Sequence, residues 1–181
     1  MTSPTADVSC RVAWVDDAPA IARLQLRTRQ HDLGDLLPTE ALEADPSVAE
    51  EVWRQVLSRP PDARIRVLVA LERNRVVGFA ITSPASDPDV DPVSDAELME
   101  LTVDPDERGR GHGSRLLQAA VDTMAADRFS RAVCWTVADG DDVRRFLTEA
   151  GWASDGAHRE LDLDGTGAVT AKQVRLHTQF T

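Results

Sequence analysis

Arg108-Gly109-Arg110-Gly111-His112-Gly113-Ser114 joins a segment that reads as a strand, Glu97 to Val103, to one that reads as a helix beginning near Gly113. The first-turn amides of a helix have no intrahelical acceptor and point outward, so this junction attracts an anion. Three glycines let the backbone approach that anion without side-chain obstruction, and two arginines add positive potential. The simpler reading, a tight turn with a solvated arginine face, leaves the strand before and the helix after unexplained.

Two other phosphate loops are excluded by spacing. A dinucleotide fingerprint needs Gly at the sixth position counted from Gly109, where Ser114 stands. A Walker loop needs Gly-Lys-Ser or Gly-Lys-Thr, and the chain's single lysine is Lys172.

Around this segment the chain alternates between the two periods. Val8 to Trp14 reads as a strand, and Asp16 or Asp17 offers a cap to a helix with Pro19 in its first turn. A short helix is expected from Thr39 to Ala44, interrupted by Pro46, and Ser47 with Glu50 has capping-box spacing for a further helix through Trp53, Val56 and Leu57. Ile65 to Leu71 and Val76 to Thr82 flank the polar Glu72-Arg73-Asn74-Arg75 and predict a hairpin. Three prolines and four aspartates between Pro84 and Asp95 predict an exposed loop.

Leu116, Leu117, Ala120, Val121 and Met124 recur at helical spacing and give the helix after the Gly-rich segment one core-facing stripe. Ala132 to Val137 reads as a strand, and Asp141 or Asp142 caps a helix that Gly151 ends. Ala157 to Asp162 and Val169 to Thr178, around Gly165-Thr166-Gly167, read as a closing antiparallel pair. This order predicts an α/β (mixed α+β) chain, a mixed sheet covered by helices, in a single domain over residues 1–181 with its core at about 8–180.

Composition narrows the function. Apolar residues make up 42% and charged residues 28%, an ordinary folded balance, and the net charge of -11 argues against nucleic acid. Met1 to Asp7 has no basic start or apolar stretch, and no apolar run reaches spanning length, so no membrane association and a cytoplasmic location are expected. Cys10 and Cys134 read as a reduced pair, and His31, His112, His158 and His177 share no metal-ligand spacing, with His112 expected to be exposed in the loop. Asp162-Leu163-Asp164-Gly165 is too short for a calcium loop. No metal is expected. Asp87, Asp89, Asp91 and Asp95 read as a solvated loop that draws cationic acceptors towards Glu97.

Arg108, Gly111 and Gly113 fill the Q/R-x-x-G-x-G/A signature, and the chain here resembles the GCN5-related N-acetyltransferase (GNAT) superfamily. Glu97 to Pro105 looks like the strand before the signature, and Phe146, Leu147, Gly151 and Trp152 fall at the family's Phe-Tyr and Gly-Phe landmarks. The resemblance implies a mostly antiparallel sheet of about seven strands, splayed between the fourth and fifth and covered by four to five helices. It implies acetyl-CoA as co-substrate, with the diphosphate on Arg108, Gly109, Arg110, Gly111, His112, Gly113 and Ser114, and pantetheine along Leu101, Thr102 and Val103.

Acetyl would then pass directly to a primary amine of a small molecule or peptide, and a homodimer is the expected assembly. An alkyl ammonium with a pKa of about 10.4 must lose its proton before attack. By the resemblance Glu97 is the general base, with Glu100, read by strand alternation as facing the opposite side, as fallback. Leu147 stands where the family's proton-donating Tyr belongs, Gly140 where an Asn is frequent and Val143 where an Ala is. Water, Cys134 or a serine would protonate the leaving thiolate, if any group does. An acyl-CoA-binding sensor or partner protein on the same fold, with little catalysis, is the alternative.

Overall fold

A computed structural model describes residues 7–139 and 142–180. The elements run β1 (Val8–Val12), α1 (Ala18–Leu33), α2 (Thr39–Leu42), α3 (Pro46–Ser58), β2 (Arg66–Glu72), β3 (Arg75–Pro84), β4 (Asp95–Val103), α4 (His112–Ala126), β5 (Arg131–Val137), α5 (Asp142–Glu149), β6 (Ala153–Asp162) and β7 (Thr170–Gln179). The strands form one seven-stranded sheet in the order β1-β2-β3-β4-β5-β7-β6, antiparallel at every pairing except β4 with β5. This is the mixed sheet that the sequence order predicts.

Local chemistry sets the boundaries. Arg73 and Asn74 both take positive φ, 48° and 65°, so the β2–β3 hairpin closes in two residues. Pro46 does not interrupt a helix but opens α3, where a missing N–H is harmless. Its cap is Asp45, whose carboxylate accepts the Ser47 amide at 2.8 Å, and not the Ser47–Glu50 box. Asp17 likewise does not cap α1. It turns back to accept the Trp14 amide at 2.7 Å and Arg11, holding a 3-10 turn at Val15–Asp17. β6 starts four residues earlier than the apolar pattern suggests, because a bulge between Ser154 and His158 absorbs Gly156 at φ 89°.

Helices cover both faces. Leu116, Ala120 and Met124 of α4 pack on Leu68, Ala80 and Leu98, while Ile21, Leu24 and Trp53 pack on Val67, Val69 and Phe79 of the other face. Burying each of the Leu, Ile, Val, Met and Phe side chains among them contributes about 1.5–3 kcal/mol. α4 sits close because β3 has Gly78 beneath it. A Cβ there would lie 2.8 Å from the Thr102 carbonyl oxygen and 2.9 Å from Leu116 Cδ1.

The middle of the sheet is interrupted. β4 and β5 pair only at Asp95–Arg131, Ala96–Ala132 and Glu97–Val133, although β4 pairs with β3 up to Val103 and β5 with β7 along its length. Beyond Glu97 the two strands part, leaving a wedge. Among the described residues, no helix is long and apolar enough to cross a membrane.

Candidate active site

The wide end of the wedge meets the Gly-rich segment. β4 stops at Asp104, whose carboxylate accepts the Asp106 amide at 3.1 Å and starts a 3-10 turn over Pro105–Glu107. The chain then bends through Gly109 and Gly111 at φ 77° and 82°, which only glycine adopts without strain, and α4 begins at His112. Arg115 is the first helical amide with an acceptor in the turn, Gly111 O at 3.1 Å. The amides of His112, Gly113 and Ser114 precede it and form the bare first turn.

The arginines divide their work. Arg108 donates to Asp32 of α1 at 2.8 and 3.1 Å and to the Val103 carbonyl at 3.2 Å, fixing the loop to α1 and to the end of β4. Arg110 is held by Glu107 at 2.7 Å, and Arg115 folds back to the Arg110 carbonyl at 3.3 Å. Arg115 and Asp32 escaped the sequence reading, although Arg115 lies one helical turn after Gly111. His112 is a correction. It is not exposed in the loop but 2% exposed, with its imidazole turned inward behind the loop, because the first helical residue already faces the core. Its amide remains in the first turn.

Along β4, the wedge-side backbone of Leu101, Thr102 and Val103 lies opposite the edge that pairs with β3. Glu97 stands where the strands part. Glu100 is a second correction, because Met99 is an extra residue between Leu98, paired with Thr82, and Glu100, paired with Ile81. Glu97 lies opposite Ser83, so both glutamates project from the face that α1 and α3 cover, whereas unbroken alternation would have opposed them. Burial raises the pKa of Glu97, the nearby Asp87 carboxylate adds to this, and Arg159 and Arg175 act against it. Burial also raises Glu100, against hydrogen bonds donated by Thr102 at 3.0 Å and Gln25 at 3.2 Å. Gln25 in turn accepts Trp53 Nε1–H at 3.0 Å, so an α1–α3 chain ends on Glu100.

The aspartate loop is a third correction in part: Asp89 and Asp91 stay exposed as expected, but Asp87 and Asp95 are drawn into the protein, and most of the carboxylates are held by its own groups. Asp87 accepts Trp135 Nε1–H at 2.9 Å and Arg175 at 3.0 Å, and Asp89 accepts Arg175 at 2.7 Å. Asp95 is bonded by the Asp91 amide at 3.1 Å and Arg131 at 3.5 Å, and Asp91 accepts the Val93 amide at 2.9 Å. Asp155 joins the network through Arg175 at 2.7 Å and Arg131 at 3.1 Å. Arg159 stacks over Trp135, 4.2 Å from its ring centre. These partners meet from four separated segments, and nothing in their spacing announces them. Asp162 and Asp164 likewise spend their oxygens on amides of their own hairpin.

Leu147 is 0% exposed and belongs to the α4-side core with Trp152, so the position adds packing and no proton donor. Phe146 walls Gly113, whose substituent would lie 3.7 Å from its ring. Cys134, on β5, is 4% exposed, and Val143 packs against the same core. Gly140 and Asp141 lie outside the described residues.

The sequence profile of the acetyltransferase (GNAT) family matches residues 28–152. A sequence search of curated proteins found no match. Among solved structures, a ribosomal-protein-S5-alanine acetyltransferase from Vibrio fischeri superposes with a TM-score of 0.73 at 16% identity, covering 99% of this chain and 96% of that one. The PaiA N-acetyltransferase of Thermoplasma acidophilum, in complex with coenzyme A, gives 0.72 at 13% identity, covering 96% and 99%. YncA of Salmonella typhimurium, with acetyl-CoA, gives 0.69 at 18% identity, covering 97% and 95%. At these identities the likeness is one of fold.

Proposed function

Because the chain belongs to the GNAT acetyltransferase family, we propose that it moves the acetyl group of acetyl-CoA to a primary amine of a small molecule or peptide by direct attack, with Glu97 as general base. One observation carries the reading: β4–β5 pairing stops at Glu97, with the bare first turn of α4 beyond the other end of the wedge. Val103 lies six residue steps beyond Glu97, roughly 20 Å, a span suited to an extended pantetheine arm.

The diphosphate would rest on the amides of His112, Gly113 and Ser114, with the Gly109 and Gly111 bends allowing its approach. Arg110 and Arg115 contribute potential, and Arg108 braces the loop through Asp32 and Val103. Pantetheine would pair with wedge-side groups of Leu101 to Val103. At the vertex, Glu97 takes the ammonium proton directly or through water, the amine nitrogen bonds to the thioester carbonyl carbon, the C–S bond breaks to release the CoA thiolate, and the nitrogen's surplus proton passes to that thiolate or to water. A β4 amide would stabilise the oxyanion. The raised pKa of Glu97 makes it a stronger base than a solvated glutamate. Glu100 is the fallback, since neutral donors from Gln25 and Thr102 already occupy its two oxygens.

The acceptor's class draws support from two sides. The net charge of -11 favours cationic amines, and one solved neighbour is named for acetylating an alanine of a ribosomal protein. The buried Leu147 favours the sensor alternative, as it supplies no acid for the thiolate. A thiol near pKa 8.5 leaves tolerably without one. Thiol release from acetyl-CoA over an amine panel separates the two readings, because a sensor binds CoA and releases nothing. Repeating it with Glu97→Gln tests the base, and a full-rate variant moves that role to Glu100 or water.

A further inference from the structure

We propose that Glu72, Glu107 and His112 form a site for a divalent transition metal, Zn2+ in the first instance, behind the Arg108–Ser114 loop. The three residues come from the end of β2, the 3-10 turn after β4 and the start of α4. One ligand atom from each lies within 4.8 Å of the other two. The His112 side chain is 1% exposed. Its Nδ1 is buried without a hydrogen-bond partner, and so is Glu72 Oε2.

His112 Nε2 stands 3.6 Å from Glu72 Oε2. That is too long for a hydrogen bond, but close to the roughly 3.4 Å that separates two donors on a tetrahedral ion with bonds of about 2.1 Å. An imidazole with two carboxylates suits zinc, whereas magnesium favours oxygen ligands and retained water.

Arg75 and Arg110 now hold Glu107, and their side chains are 57% and 59% exposed. The Glu107 side chain is only 10% exposed and needs a positive partner, but a bound cation supplies one, so both guanidinium groups can turn to solvent when it arrives, and their side of the cluster provides its path. Imidazoles in the tightest zinc sites donate their second N–H to an acceptor, which His112 Nδ1 lacks. The site is therefore an exchangeable one, roughly 10–100-fold weaker than a fully supported zinc centre. A bound cation would add positive charge beneath a helix start already suited to anions. None of this depends on acetyl transfer.

The test is calorimetric titration of chelator-treated full-length protein with Zn2+, with Mn2+ and Mg2+ in parallel, together with Tm. One Zn2+ per chain, a raised Tm and little response to Mg2+ are expected. Glu72→Gln and His112→Asn should each weaken Zn2+ binding at least tenfold with unchanged far-UV circular dichroism, and His31→Asn should not. If His112→Asn fails to fold, Glu72→Gln decides. Absent binding, or binding that survives Glu72→Gln, overturns the site and leaves an ion-pair cluster tying the β2–β3 hairpin to the loop.

Discussion

Glu97 is half-buried at the point where two strands part, and its environment dictates how activity should respond to pH. Its pKa is raised, chiefly by burial, so the basic form is lost at a higher pH than for a solvated glutamate. kcat/KM should therefore fall with decreasing pH through that raised value, and Glu97→Gln should lower kcat by about 10²–10⁴-fold and flatten this acid limb. A variant that keeps the limb assigns it to another group. Gly111 makes a separate demand, for φ 82° beside Arg115, whose NH1 would lie 3.2 Å from an added Cβ. A left-handed non-glycine residue costs about 1–2 kcal/mol, so Gly111→Ala should raise the acetyl-CoA KM roughly 5–30-fold and leave kcat near its parent value. The glycine spacing made this demand legible in the sequence. The inward turn of His112 was not, because three neighbouring glycines resemble an exposed loop, while the register of the helix start decides where the side chain goes.

One irregularity in β4 has two geometric effects. The extra residue Met99 bends the strand two positions after its pairing with β5 ends, and it brings Glu97 and Glu100 to one face. Deleting Met99 would restore regular alternation with the partners Ser83, Thr82 and Ile81 unchanged, so both glutamates keep their face while the bend disappears. The expected result is a folded protein, by circular dichroism, whose wedge is narrowed and whose acetyl-CoA binding is weakened at least roughly tenfold. Unchanged binding would show that the parting of β4 and β5 is imposed from elsewhere. The β2–β3 hairpin, β5 and α4 could be read from periodicity and turn residues alone. The bulge could not, since Met99 is neither Gly nor Pro and only the pairing with β3 reveals it. The α3 cap was missed for a related reason: Ser47 and Glu50 satisfy a local pattern, but Asp45 and Pro46 offer the backbone a better start.

In the whole molecule, acidity is organised around a few arginines. Acetyl-CoA at a hundredfold its dissociation constant should stabilise the native chain by about 2.7 kcal/mol, measurable as a shift in denaturation midpoint that Gly111→Ala reduces. Among the described residues, Arg175 is an internal brace with three carboxylate partners. Its side chain is 5% exposed, and with Asp87, Asp89 and Asp155 it ties the β3–β4 loop to β6 and β7. Hydrogen bonding to Arg175 is the chief reason that Asp89 is lowered to about 2, while burial opposes the pull of the Ala157 amide and Arg175 that leaves Asp155 lowered. A carboxylate depressed on folding stabilises above its unfolded pKa of about 3.9, and that contribution is lost as pH falls towards the folded value. Glu97 and Glu100 have the opposite sign, because a raised carboxylate stabilises below its unfolded pKa and the contribution is lost as pH rises through the folded value. Arg175→Met would leave the Asp87 and Asp155 side chains, 15% and 12% exposed, without their main cation. At pH 7 this should cost about 3 kcal/mol, the lower end for breaking a buried pair. Urea titrations at successive pH values should then show the gap between parent and variant closing from pH 5 to pH 2.5, as Asp155, deprived of the Arg175 cation that helps to keep it lowered, takes up its proton in the variant first. A gap that stayed constant over that interval would mean that Arg175 acts through its packing on Trp135, 5.5 Å from the ring centre, and not through its charge.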